Sequence, residues 1–133
     1  MSSTTSRFVL DSFAWIEYFR GTKSGERIRR LLENEKCFTP TIVIAELSDK
    51  YSREEHTFWE KDLQFIMANT ILIELDYDVA SDAGKIKQAV RKKYKNNFGL
   101  ADAIILSSAR KINAKVVTGD HHFEKLNNVE FIK

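Results

Sequence analysis

The chain has 133 residues, enough for one domain with a real core, and it reads as a single unit over residues 1–133. Its one cysteine, Cys37, excludes an internal disulfide and any zinc site built on several cysteines, and points to a small buried thiol in a reducing compartment. Formal net charge is +2, from 21 Lys plus Arg against 19 Asp plus Glu, so charge alone selects no partner.

Met1 to Arg7 is small and polar and lacks the charged-then-apolar layout of a secretory leader. No apolar run is long enough to span a bilayer, so a cytoplasmic protein without membrane contact is expected. Arg7 to Asp11 reads as a short buried strand ending in an acid, and Ser12 to Phe19 follows at helical spacing and stops near Gly21. Asp11 or Ser12 can cap that helix. Its apolar residues Phe13, Trp15, Ile16 and Phe19 suit a core face, with a partner groove as the alternative. Gly25 to Glu35 is a second helix and Lys36 to Thr39 a second strand. Pro40 fits the first position of the next helix with Thr39 as its cap, and that helix carries Glu46 after a fully apolar turn. Arg53 to Ala68 is expected as one long amphipathic helix, and Ile71 to Leu75 as a third strand. Asp76 or Asp78 caps a helix ending in the basic run Arg91 to Lys95. Gly99 precedes an almost wholly apolar helix, Leu100 to about Ile112, whose first turn holds Asp102. A fourth strand, Ala114 to Thr118, a turn through Gly119, Asp120, His121 and His122, one helical turn and a short strand, Val129 to Ile132, complete the chain.

Strands alternate with helices and no hairpin dipeptide joins two of them. This predicts an α/β fold, a three-layer α/β/α sandwich around a mostly parallel sheet of four or five strands. In such sheets the functional crevice lies beyond the carboxyl ends of the strands. Asp11 and Asp120 fall at that edge.

Four acids stand out by position. Asp11 and Asp120 follow strands, while Glu46 and Asp102 interrupt apolar helices. Each aspartate has a bland reading as a helix cap or a dipole partner. Glu46, in a helix interior, has none. An unpaired carboxylate among apolar neighbours is costly, and four that converge repel one another unless a cation joins them, raising the pKa of at least one. Oxygen-only ligands suit Mg²⁺ or Mn²⁺ better than zinc. With these acids neutralised, the body of the molecule is more basic, which suits a polyanionic substrate. If Asp102 shares a metal, its carboxylate should lie within ~6–8 Å of those of Asp11 and Asp120.

Val9-Leu10-Asp11-Ser12, Ala45-Glu46-Leu47, Leu100-Ala101-Asp102-Ala103-Ile104-Ile105 with Ala109, and Val117-Thr118-Gly119-Asp120 with His122-Phe123 occur in this order across nearly the whole chain. In this the sequence resembles the PIN-domain ribonucleases, and among them the VapC-type toxins of toxin–antitoxin pairs. The resemblance implies a metal-dependent endoribonuclease that cleaves single-stranded RNA with Mg²⁺ or Mn²⁺ and metal-activated water. It implies Asp11 as central ligand with Asp102 beside it, Asp120 binding directly or through water, and Glu46 binding or orienting a water. Ser12 and Thr118 match the small hydroxyl residues that hydrogen-bond within the acid cluster. His122 becomes a candidate for substrate contact, and Arg91, Lys92 and Lys93 for guiding RNA. Some relatives have a further acid just behind the position of Asp120, where this chain has His121 and His122, so the second metal position is open. Implied partners are RNA, an antitoxin protein lying along an apolar groove (Phe13, Trp15 and Phe19, or Phe58 and Trp59), and a second copy in a homodimer.

Three other readings compete. One is an RNA-processing nuclease of the same family without an antitoxin, and another a non-catalytic RNA-binding or protein-scaffolding module. The third is a phosphoryl-transfer domain with its aspartate after the first strand. Asp11-Ser12-Phe13 lacks the second aspartate that the last would need, and no Gly-x4-Gly-Lys-Ser/Thr loop supports a nucleotidase.

Overall fold

The computed structural model describes residues 6–133, so the reading of the N-terminal segment lies, for residues 1–5, outside the described residues. Five strands form one sheet: β1 (Arg7–Leu10), β2 (Lys36–Pro40), β3 (Ile71–Ile73), β4 (Lys115–Thr118) and β5 (Val129–Phe131). Their order is β3-β2-β1-β4-β5 and every pairing is parallel. Among the described residues, six α-helices complete the three-layer sandwich: α1 (Ser12–Arg20), α2 (Lys23–Asn34), α3 (Thr41–Arg53), α4 (Trp59–Asn69), α5 (Tyr77–Tyr94) and α6 (Leu100–Lys111).

The chain moves outward from β1 through β2 to β3, then returns to the other side of β1 for β4 and β5. The order therefore reverses between β1 and β4, and a crevice opens at the carboxyl ends of that pair. Val9 pairs with Val116 and Leu10 with Val117, so Asp11 leaves β1 level with the end of β4. Both central strands are buried on both faces, which is why their sequences are continuous apolar runs. The cover over them includes α6, where Ala103 to Ala109 are all buried. A polar chain crosses the core: Trp15 Nε1 donates to Thr39 Oγ1 at 3.2 Å, which lies 2.8 Å from Thr70 Oγ1.

Three local expectations change. Thr39 does not cap α3; it is a fully buried strand residue committed to Trp15 and Thr70, and Pro40 ends β2 and stands at the cap position with no side chain to offer. The expected helix from Arg53 to Ala68 is split, with α3 running on to Arg53 and α4 starting at Trp59. Glu55 sits between them at φ 55°, a left-handed conformation that stops a helix. Thr22 rather than Gly25 opens the second helix, its hydroxyl accepting from Gly25 N at 3.0 Å. Asp76, of the two candidates, caps α5.

Candidate functional site

Asp11 is the first residue after β1 and is only 3% exposed. Its Oδ1 accepts from Ala14 N at 2.8 Å, so it caps α1 as well as standing at the sheet edge. Across the β1–β4 seam, Asp120 N donates to Thr118 Oγ1 at 3.0 Å. Asp120 Oδ1 then accepts from His122 N at 2.9 Å and opens the single 3-10 turn His121–Phe123. Capping thus holds both aspartates in place by one oxygen. Asp102 lies in the first turn of α6, and its Oδ2 accepts from Gly99 N at 3.1 Å. Glu46 comes from the middle of α3, and its Oε1 is buried without a hydrogen-bond partner. An uncompensated buried oxygen costs on the order of 1–3 kcal/mol, so Glu46 is the acid with least structural reason to be there.

The four carboxylates share one open cavity of about 380 Å³, lined also by Ser12, Phe13, Ile105, Gly119, His121 and Lys133. Burial is the main force on Asp11, Glu46 and Asp102. It pushes the Asp11 carboxyl from 3.8 to about 7, with Glu46 and Asp120 adding repulsion while Thr118 and the Ala14 amide oppose the rise. Burial likewise raises Glu46 to about 7, with repulsion from Asp102 and Asp120 behind it and Ser12 opposing. Asp102 is raised by burial, opposed by the Gly99 amide. The elevated values expected of a convergent acid cluster are present, but desolvation comes ahead of mutual repulsion as their cause. A larger cavity, about 410 Å³, lies between α5 and α6. It is lined by two acids, Asp78 and Asp82, and three bases, Lys85, Arg110 and Lys111, and gathers no comparable set of carboxylates.

Among the described residues, no lysine or arginine forms an ion pair with any of the four acids, and the basic side chain beside them is His122, whose Nδ1 lies 3.0 Å from Asp120 Oδ1. Four carboxylates in one cavity, those of Asp11, Glu46 and Asp102 raised by burial and Glu46 Oε1 buried and unpartnered, are a donor set that a hard divalent cation fits. The tightest grouping is Asp102, Asp120 and His122, one ligand atom of each lying within 4.8 Å of the others.

Other sequence-predicted residues fall elsewhere. Arg91 Nε donates to the Phe98 carbonyl at 2.7 Å and fastens the turn between α5 and α6. Lys92 and Lys93 are exposed on the last turn of α5, and none of the three lines the acid cavity. The cation on the cavity wall is Lys133, whose Nζ stands 5.6 Å from the centre of the Phe13 ring. Phe13, Trp15 and Phe19 do not form one groove. Phe13 lines the acid cavity, Trp15 is fully buried and stacked on Phe19, and Phe19 with the 60%-exposed Phe58 lines a separate cavity of about 260 Å³. The sequence carried one unread signal for the place of Phe13. A Cβ on Gly119 would stand 2.2 Å from its ring, so the residue before Asp120 must be glycine for the ring to lie there.

Compared with protein families, residues 8–129 match the model of the PIN domain. The chain belongs to the PIN-domain family. As curated relatives of this PIN protein, VapC ribonuclease Mb1587 of Mycobacterium bovis and ribonuclease VapC11 of Mycobacterium tuberculosis are each 25% identical over 126 residues, covering 91% of this chain and 92% of the relative. Among solved structures, VapBC2 from Rickettsia felis, bound to a DNA fragment from its promoter, matches with TM-score 0.72 at 19% identity, over 96% of this chain and 99% of that one. Mycobacterium tuberculosis VapC20, a sarcin-ricin loop cleaving toxin, matches with TM-score 0.72 at 16% identity, over 95% and 99%. These structures share the fold of this PIN domain. Among the described residues no helix is long and apolar enough to cross a membrane.

Proposed function

We propose that this PIN-domain protein is a metal-dependent endoribonuclease that cleaves single-stranded RNA and serves as the toxin of a type II toxin–antitoxin pair. The observation that carries this reading is the meeting of four carboxylates from four separate elements in one cavity at the β1–β4 crevice, with Asp11 and Glu46 raised to about 7. Curated relatives named as VapC ribonucleases along nine-tenths of the chain supply the substrate class.

In this reading Asp11, Asp102 and Asp120, with Glu46, hold Mg²⁺ or Mn²⁺. Bound there, the ion supplies an activated water and charge stabilisation at the leaving oxygen of a phosphodiester. The protein's own groups do the rest. Asp11 and Asp120 are fixed by the caps they form, and Thr118 ties the Asp120 backbone to the end of β4. Phe13 offers an aromatic face beside the acids, suited to stacking an unpaired base. Lys133 brings a positive charge to the same wall, suited to a flanking phosphate, and Lys92 and Lys93, exposed on the last turn of α5, offer further positive charge for the strand. The cavity of Phe19, Tyr51 and exposed Phe58 is the apolar surface assigned to an antitoxin, and the exposed Met67 of α4 and Ile71 of the edge strand β3 are the surface assigned to a second copy of the chain.

The test is to map RNA ends after a brief pulse of expression. New 5′-phosphate ends confined to unpaired segments, absent with Asp120→Asn, are expected. Ends bearing a 5′-hydroxyl, or the same ends with the variant, would refute the proposal.

A further inference from the structure

His122 carries a distance that the four-acid reading does not use. Its Nδ1 stands 3.0 Å from Asp120 Oδ1, the oxygen that also accepts from the His122 backbone N–H at 2.9 Å. A ring-nitrogen lone pair and a carboxylate oxygen this close repel unless a proton or a metal ion lies between them. Two ligands at right angles on one ion, each about 2.1 Å from it, stand about 3.0 Å apart. Asp102 completes the set, with one carboxylate oxygen within 4.8 Å of a ring nitrogen of His122 and of a carboxylate oxygen of Asp120. His121 is engaged otherwise: its Nδ1 lies 3.3 Å from Glu124 Oε1 and its ring packs on Phe131.

His122 is also not part of the wall of the acid cavity, which Asp11, Glu46, Asp102, Asp120 and His121 help to form. The position that His122 shares with Asp102 and Asp120 is therefore at the flank of the four-acid cavity. There, two aspartates belong to both positions, Glu46 and Asp11 to the cavity alone, and the imidazole to the flank alone.

We propose that His122 is a metal ligand, and that Asp102, Asp120 and His122 form a mixed oxygen–nitrogen position selecting Mn²⁺ over Mg²⁺. The proposal rests on the nuclease reading for two of its three ligands and adds the third. Imidazole suits transition metals, whereas Mg²⁺ keeps to oxygen and retains its water. An all-carboxylate site would discriminate far less between the two ions.

The test uses the untagged full chain, stripped of metal and titrated at fixed pH with Mn²⁺ or Mg²⁺. Bound Mn²⁺ is then examined by pulsed electron paramagnetic resonance for ¹⁴N coupling from imidazole. The chain has three histidines, so His56→Ala and His121→Ala isolate the source of any coupling. Coupling in the wild type that survives both of those changes and disappears in His122→Ala is expected. With it, Mn²⁺ binding should weaken about 10-fold or more in His122→Ala and Mg²⁺ binding by less than about 3-fold. If His122→Ala does not fold, the wild type with the two control variants still decides by elimination. Mn²⁺ bound without imidazole coupling, or coupling that persists in His122→Ala, overturns this inference and leaves the four-acid reading standing. No Mn²⁺ binding by the wild type overturns both.

Discussion

Replacing Asp11 by Asn removes a charge from the deepest point of the site while keeping the helix cap, because the amide oxygen can still accept from Ala14 N. The Asp11 carboxyl is raised from 3.8 to about 7. A raised acid binds its proton more tightly in the folded state, so its contribution to stability is fullest below pH 3.8. That contribution is lost as pH rises, and it is gone above about 7. Ionising it at pH 8 without metal costs at most about 4 kcal/mol. Water entry and side-chain shifts relieve part of this, so Asp11→Asn should stabilise the metal-free protein by ~1–3 kcal/mol at pH 8, or roughly 3–15 °C in Tm. At pH 4 both side chains are largely neutral and the gap should shrink to within about 0.5 kcal/mol. Urea and thermal unfolding in EDTA at pH 4, 6 and 8 measure this directly. A variant less stable than wild type at pH 8, or a gap equal at pH 4 and 8, would refute the electrostatic reasoning. The same variant should lose RNA cleavage, the usual trade between stability and a strained active site.

Further outcomes follow from other contacts. Gly119→Ala places a Cβ 2.2 Å from the Phe13 ring; it should cost ~1–3 kcal/mol in urea unfolding, and Phe13→Ala in the same chain should recover much of that loss. Gly25→Ala meets the Glu17 carbonyl oxygen at 2.2 Å, where backbone cannot step aside, and should be the more damaging change, lowering Tm by several degrees or preventing soluble expression. Arg91→Ala removes the bond to the Phe98 carbonyl and should lower stability by ~1–2 kcal/mol, whereas Lys92→Ala with Lys93→Ala should leave Tm unchanged and raise KM for RNA in a salt-dependent way. Cys37, buried and with its thiol pushed up to about 11, should resist thiol reagents at pH 8 until the protein unfolds, as a denaturant series with a chromogenic disulfide reports.

The layout of the sheet was legible because short apolar segments alternate with amphipathic helical ones, and every strand in the described structure lies where the sequence placed one, although β5 carries Glu130 between Val129 and Phe131. Asp11 and Asp120 were legible as edge residues for the same reason. Asp102 and Glu46 were legible because a carboxylate among isoleucines and leucines has no ordinary purpose. Local ends were less readable. Thr39 has the composition of a cap, yet Trp15 and Thr70 claim it through the core, a tertiary demand with no local trace. The break after Arg53 turns on a left-handed Glu55, a conformation that the residue type does not announce. Arg91 sits in a basic run that suggests a ligand surface, but its partner is a carbonyl seven residues on. Lys133, last in the sequence and flanked by no motif, reaches the acid cavity only through the folding of β5 beside β4.

The proposed chemistry is that four acids gather divalent metal to cut RNA. Its most direct measurement is cleavage of an unstructured RNA by the purified protein in Mn²⁺, set beside the same reaction in excess EDTA and with Asp102→Asn, which keeps the amide oxygen near Gly99 N but loses the charge. Cleavage by the wild type in Mn²⁺, abolished by EDTA and reduced at least ~100-fold in Asp102→Asn, is the predicted result. Undiminished cleavage in EDTA, or by the variant, would contradict it.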